Sequence, residues 1–170
     1  MAAEPRPSIL VAGVGNIFLG DDAFGVEVVQ RMARRKQLAG VCIKDFGIRS
    51  YDLAYALMEP WQLVILVDAM PRGGAPGTLY MLEPRPLKAE DTAQNYFLDA
   101  HSLSPSSILS LVRQFGGQHC RLVVVGCEPE STADDEGGCI GLSDAVHEAL
   151  DHAVAAIEEL IAGNRNIAAA

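Results

Sequence analysis

Several patterns that assign a function directly are absent from this sequence of 170 residues. No apolar run approaches the ~20 residues that a membrane helix needs, and no G-x-S-x-G motif of a serine hydrolase is present. The four cysteines form no C-x-x-C pair and no cluster, so we expect them to be reduced and structural. The first residues lack the apolar region of a signal peptide. A cytoplasmic location is therefore expected.

Positive charge is also scarce. Lys and Arg number 13 against 22 Asp and Glu, and the net charge of -9 argues against nucleic acid or an anionic membrane as the partner. Apolar residues make up 49% and charged residues 21%, as in an ordinary globular protein. This length and composition predict a single domain over residues 1–170, with flexible tails at 1–7 and 164–170.

A glycine-rich stretch with two carboxylates, residues 13–25, follows a first apolar run at 9–12. The apolar spacing after it predicts a helix over 26–39, so the stretch is typical of a strand–turn–helix unit. The third glycine of a dinucleotide fingerprint is replaced by Phe18, and two acids at a helix start would repel a pyrophosphate. We expect one of Asp21 and Asp22 to cap the helix and the other to face a cleft.

The remaining pattern alternates strands with helices. The run at 63–67 is the most hydrophobic in the chain and predicts a central strand; other strands are predicted at 41–46, 77–82 and 122–125. The link before 77–82 is too short for a crossover helix, so that strand is expected to be antiparallel to its predecessor. Helix starts are predicted at three serine caps, and residues 84–100 form a long loop; the caps are Ser50, Ser104 and Ser143. The prediction is an α/β fold, a three-layer α/β/α sandwich with a mixed, twisted sheet of about five strands.

Three side chains with metal-binding chemistry fall at the ends of predicted elements. Asp22 follows the first strand, Asp68 ends the central strand, and His101 leads from the long loop into a helix. Two carboxylates and an imidazole form a plausible open site for a first-row transition metal. The alternative left open by spacing alone is that Asp68 caps a turn and His101 is an ordinary surface histidine.

Other polar groups are weaker candidates. His147 and His152 lie about 140° apart around a helix and cannot ligate one metal together, so they indicate a solvated face. Glu128 and Glu130 follow the last strand and could line the same cleft, although loop acids are usually solvated. Asp45 ends the second strand, where an acid would suit a ribose, but the broken glycine pattern argues against that interpretation.

Beyond spacing, a series of short motifs resembles one known family, the hydrogenase maturation proteases. These endopeptidases trim the C-terminus of the large subunit of nickel–iron hydrogenases. The matching motifs cover nearly the whole chain in the same order: residues 13–16, 20–22, Gly25, 45–47, 67–69, 76–78, His101, 126–130 and 140–143. The run at 45–50 departs from the more usual D-G-G-T, so we expect a difference in substrate choice.

The resemblance implies a mechanism as well as a fold. It places metal contacts at Asp22, Asp68 and His101, with nickel presented by the hydrogenase large-subunit precursor rather than held at rest. Removal of a C-terminal extension would then require nickel insertion. Asp45 is a candidate second carboxylate; whether it activates water, whether a carboxylate attacks the peptide, or whether the metal polarises the carbonyl stays open. We expect a monomer that is mostly metal-free when isolated, although another divalent metal could occupy the open site.

Two other functions compete with this interpretation. One is a nucleotide- or small-ligand-binding module without hydrolytic activity, which a nucleotide would stabilise against heat. The other is an inactive nickel-binding homologue that binds the metal as a carrier and leaves a hydrogenase precursor uncut.

Overall fold

The computed structural model describes residues 7–35, 38–83, 121–130 and 140–168. The predicted loop at 84–100, His101 and the helix expected after Ser104 lie outside these ranges, as do Cys120 and Cys139. Every structural statement below concerns the described residues.

Within the described ranges, five strands form one mixed sheet in the order β2-β1-β3-β5-β4. Of these described strands, β2, β1, β3 and β5 run parallel to one another. β4 runs antiparallel to its neighbour β5. The strands are β1 Ile9–Val14, β2 Val41–Gly47, β3 Leu63–Ala69, β4 Leu79–Leu82 and β5 Arg121–Cys127. The predicted mixed sheet is confirmed, and β3 is central as expected.

The position of β4 differs from the simplest expectation. Its direction is antiparallel to β3 as predicted, but its hydrogen-bonded neighbour is β5, which lies between the two. Val123, Val124 and Val125 are fully buried and need cover on both faces, which only an interior position supplies. The residues of β4 are half-buried or exposed, as suits an edge strand.

Three described helices flank the sheet: α1 Phe24–Ala33, α2 Ser50–Leu57 and α3 Asp144–Ala168. The first was predicted over 26–39, but it starts earlier and ends at Ala33, because the chain must turn back toward β2. Ser50 is the first helical residue and not the cap, since the cap position is Arg49 and no side chain bonds there. The last helix follows Ser143 directly, as predicted.

The last helix, α3, is longer than the sequence predicted. The helix continues to Ala168 and takes in most of the segment predicted to be a flexible tail. Extending an existing helix adds a hydrogen bond for each residue that is fixed, so a long amphipathic helix continues readily past its last packed turn.

The core lies on both faces of the sheet. Alternate residues of β1 and β3, such as Val11 and Ile65, pack with α1 and α3, whereas Leu10 and Leu66 pack on the opposite face with Leu53 of α2. This confirms the three-layer α/β/α arrangement. None of the described helices combines the length and apolarity needed to cross a membrane.

Candidate active site

Two of the polar residues singled out in the sequence, Asp22 and Asp68, lie at one edge of the sheet. Because β1, β3 and β5 are parallel, their carboxyl ends lie at the same edge, where open α/β sheets bind ligands. A 3₁₀ turn, Gly20–Ala23, follows β1 and carries Asp22, and Asp68 lies near the end of β3.

The turn after β1 fixes Asp22 through its own backbone. The Asn16 backbone N–H donates to Asp22 Oδ2 at 2.6 Å, and the Phe18 N–H donates to Asn16 Oδ1 at 3.0 Å. Gly15 has a φ of 134°, and a Cβ there would overlap the carbonyl oxygen of Asp22. The space that a dinucleotide site leaves for phosphate beside its glycines is therefore filled here by the protein's own chain. This argues against the nucleotide-binding alternative.

Asp22 and Asp68 lie close enough to interact electrostatically. The pKa of Asp68 is raised well above its ordinary value of 3.8, first by burial and then by the negative charge of Asp22; a hydrogen bond from the Ala69 backbone lowers it in part. Two like charges in a partly buried edge favour a proton or a cation between them. The structure thus brings together two of the three residues predicted to contact a metal.

The third predicted ligand, His101, lies outside the described residues. In the described part of the chain, no group of three or more His, Cys, Asp or Glu side chains is arranged to hold a metal ion. The donor set of the two carboxylates still fits a hard or borderline divalent cation, because their oxygens are suitable ligands and their repulsion falls on binding it.

Asp45 is placed differently from the other candidate acids. In the sheet register, Gly13 of β1 lies between Asp45 of β2 and Val67 of β3. Residues paired across neighbouring strands share a face, so Asp45 is on the same face as Val67. Asp68 follows Val67 in the strand and is therefore on the opposite face. Asp45 Oδ2 accepts a hydrogen bond from Gln30 Nε2 of α1 at 3.2 Å. Asp45 and Asp68 therefore lie on opposite faces of the sheet.

Comparison with known proteins adds the family to this geometry. The model of the hydrogenase maturation protease family matches residues 26–160. The chain belongs to that family. The hydrogenase 2 maturation protease of Escherichia coli is 32% identical over 152 residues, which are 89% of this chain and 91% of that protein.

Solved structures agree with the sequence comparison. The E. coli hydrogenase maturating endopeptidase HybD has a TM-score of 0.69 at 30% identity, with 95% of this chain and 93% of that one covered. A hydrogenase 2 maturation peptidase from a Thaumarchaeota archaeon has a TM-score of 0.67 at 30% identity, with 93% and 99% covered. The family and the fold expected from the resemblance are confirmed, and the chain is a peptidase of hydrogenase maturation.

In this protease, Asp21 has a role that the sequence did not predict. Its buried carboxylate accepts hydrogen bonds from the backbone N–H groups of Glu130, at 2.8 Å, and Ser143, at 2.7 Å, and from the Ser143 hydroxyl at 3.0 Å. Neither Asp21 nor Asp22 caps a helix, so the expected cap was wrong. Asp21 instead ties the turn that carries Asp22 to the end of β5 and the start of α3.

Replacing Asp21 by asparagine tests this tie. The amide nitrogen must face at least one N–H donor, so a buried donor is left without an acceptor, and we expect a loss of about 1–2 kcal/mol in the free energy of unfolding. Denaturant unfolding measures it. Ser143→Ala, which removes only the hydroxyl bond, is the control and should cost about 0.5–1 kcal/mol. If Asp21→Asn lowered the free energy of unfolding no more than Ser143→Ala does, the proposed role of Asp21 in joining these segments would be contradicted.

Glu128 is likewise a supporting group rather than a cleft acid. Its buried carboxylate accepts bonds from the backbone N–H groups of Arg72 and Gly73 and from the Tyr80 hydroxyl at 2.6 Å. The bond from Tyr80, with help from the backbone donors, lowers the pKa of Glu128, and the same bond raises the pKa of Tyr80. Glu130, the other acid considered, is exposed.

The remaining reactive groups of the protease can be assigned simply. Cys127 is a buried free thiol, and burial, followed by the charges of Asp21 and Glu128, raises its pKa to about 12. It is therefore protonated near neutral pH and unsuited to nucleophilic attack. Cys42 is also free, which agrees with structural cysteines. His147 and His152 are exposed on α3, as the helical spacing predicted.

Proposed function

We propose that this protease removes a C-terminal extension from the nickel-loaded large-subunit precursor of a nickel–iron hydrogenase. We further propose that Asp22, Asp68 and His101 contact the nickel that the precursor presents. The precursor is the protein partner, and the nickel belongs to the substrate. The proposed protease is a cytoplasmic monomer.

One observation carries the nickel part of this proposal, the pair formed by Asp22 and Asp68. Burial and the charge of Asp22 both disfavour ionised Asp68, as the raised pKa of Asp68 records. A dication that reaches this edge replaces repulsion by attraction to both carboxylates. A precursor that carries nickel would therefore gain binding energy that a nickel-free precursor lacks. Nickel insertion would then act as a checkpoint on cleavage.

The contacts that hold Asp22 in place suit the binding of a metal ion. The Asn16 N–H donates to the Asp22 carboxylate, and the backbone of Asp22 packs directly against Gly15 at the end of β1. Fixed carboxylates bind a metal without a large loss of side-chain freedom, which is the benefit of preorganisation. The bound nickel would supply a polarising charge near the peptide that is cut.

Asp45 enters the proposal as a second candidate carboxylate. Its hydrogen bond to Gln30 and its position on the α1 face favour support of the edge over activation of water. Normal cleavage by an Asp45→Asn variant would remove this acid from the mechanism.

The experiment that tests the proposed function is a cleavage assay on the cognate large-subunit precursor, prepared with and without nickel. Mass spectrometry follows the loss of the C-terminal peptide. We expect wild type to cut only the nickel-loaded form, and His101→Ala to be slower by about a hundredfold or more, as when one preorganised stabilising group is removed.

Each other outcome has a distinct meaning. Equal cleavage by wild type and His101→Ala would keep the protease and discard His101 as a contact. Cleavage of the nickel-free precursor at the same rate would overturn nickel recognition. Nickel binding without cleavage of a verified cognate precursor would favour the carrier.

A further inference from the structure

A second feature of the sheet edge is an exposed arginine on the loop that follows Asp68. The loop, residues 70–78, connects β3 to β4, and Arg72 lies four residues after Asp68. Four residues of extended chain span at most about 14 Å, so Arg72 stays near the carboxylate pair. An extended peptide whose cleaved bond lies at the pair can span this separation with about four or five of its own residues.

The loop is held in place although residues 71–76 are all exposed. The Arg72 backbone N–H donates to the two carboxylate oxygens of Glu128 at 2.8 and 3.0 Å, and the Gly73 N–H donates at 3.0 Å. At the other end of the loop, the Gly77 N–H donates to the Glu128 carbonyl oxygen at 2.8 Å. A buried carboxylate therefore fixes the backbone from which the arginine side chain extends.

The Arg72 guanidinium is oriented by its neighbours, but no described carboxylate forms an ion pair with it. It lies over the Tyr80 ring, 5.5 Å from the centroid, and its Nη1 is 3.9 Å from Met70 Sδ. The arginines at 31, 35, 49 and 121 each form an ion pair with a carboxylate, but Arg72 forms none with any described residue. Glu128 binds the backbone of Arg72 and not its charged group. Within the described part of a protein of net charge -9, Arg72 is thus a cation without an ion-pair partner beside an acidic site.

We propose that Arg72 determines specificity by binding a carboxylate of the C-terminal segment of the precursor. This inference rests on the proposed function. A guanidinium presents a planar fork of donors that matches a carboxylate in two parallel hydrogen bonds. Stacking on Tyr80 orients the fork before the substrate arrives, which reduces the entropy lost on binding. The carboxylate belongs either to an acidic side chain or to the end of the extension.

The test is steady-state cleavage of the nickel-loaded cognate precursor by wild type, Arg72→Ala and Arg72→Lys. Loss of charge-assisted hydrogen bonds predicts a rise in KM of about ten- to a hundredfold for Arg72→Ala, with kcat unchanged. Arg72→Lys keeps the charge without the fork and should recover part of the loss. Arg34→Ala is the matched control, because Arg34 is exposed, forms no described ion pair and lies after α1, away from this edge.

Two altered precursors identify the carboxylate. In one, the acidic side chains of the extension are replaced by their amides; in the other, a short Gly-Ser tail moves the terminal carboxylate away. We expect one of the two to raise KM for wild type as much as Arg72→Ala does, with no further rise when both changes are combined.

The outcomes separate this inference from the function on which it rests. Normal cleavage by wild type with an unchanged KM for Arg72→Ala would overturn the role of Arg72 and leave the protease intact. The role of Arg72 would also be overturned if the rise in KM caused by Arg72→Ala added fully to the rise caused by each altered precursor. Full additivity would mean that Arg72 binds neither of the two carboxylates. Failure of wild type to cut a verified precursor would overturn the proposed function and this inference together.

Discussion

The variant Asp68→Asn is expected to lose most of its cleavage activity and to be more stable than wild type. The substitution removes a carboxylate that we propose contacts nickel, so cleavage of the nickel-loaded precursor should fall by about a hundredfold or more. It also removes a charge that burial and Asp22 disfavour, as shown by the raised pKa of Asp68. Mass spectrometry of the precursor measures the first effect, and thermal unfolding measures the second.

The gain in stability has a defined dependence on pH. A carboxyl group with a higher pKa in the folded state weakens that state at every pH above its unfolded pKa, here near 3.8. The cost is absent where both states are protonated and grows as the pH rises toward the folded pKa. The melting temperature of Asp68→Asn should therefore exceed that of wild type more at pH 8 than at pH 4. Each kcal/mol relieved corresponds to about 2–4 °C for a chain of this size.

A surface carboxylate supplies the comparison for this variant. Asp52 is exposed on α2, 3.8 Å from Arg49, and Asp52→Asn should leave cleavage unchanged and shift stability by at most about 0.5 kcal/mol. Undiminished cleavage by Asp68→Asn would remove Asp68 from the site. A lower melting temperature at pH 8 would contradict the unfavourable charge pair.

The variant Gly25→Ala is expected to lower the free energy of unfolding more than most substitutions of similar size. Gly25 lies in the first turn of α1, and a Cβ there would overlap the backbone carbonyl oxygens of Val14 and Val67. Backbone atoms of two central strands cannot move aside as a flexible side chain can. We expect a loss of about 3 kcal/mol or more, the upper range for overpacking, in denaturant unfolding.

Gly163 provides the opposite case in the same protein. It lies in α3, and a Cβ there would meet nothing within 4 Å. Gly163→Ala should stabilise the chain by about 0.5–1 kcal/mol, because alanine loses less conformational freedom in a helix. If both variants unfolded at the same denaturant concentration, the close packing at Gly25 would be disproved.

Much of the architecture was predictable because it depends on local patterns. The apolar run at 63–67 identified the central strand, and alternating elements predicted the layers. The resemblance then supplied the family, which spacing alone could not, because an acid after a strand is equally consistent with a turn cap. Asp22 and Asp68 were placed correctly at one edge because parallel strands end there.

Features that depend on distant partners were not predictable. Asp21 was expected to cap a helix, but its donors are 109 and 122 positions along the chain. Glu128 was expected either to line the cleft or to be solvated, because the backbone donors that it binds lie 56 and 55 positions away in the sequence. The insertion of β5 between β3 and β4 has the same origin, since strand neighbours are decided by burial in the whole sheet.

The insertion of β5 also has a consequence for the order in which the protein folds. The chain is synthesised from its N-terminus, yet β5, the partner of β4 among the described strands, is not available until residues 121–127 have been synthesised. Asp21 likewise lacks these hydrogen-bond donors until Glu130 and Ser143 have been synthesised. Contacts of such long range also slow folding. We therefore expect the turn that carries Asp22 to be fixed only after residue 143 has been synthesised.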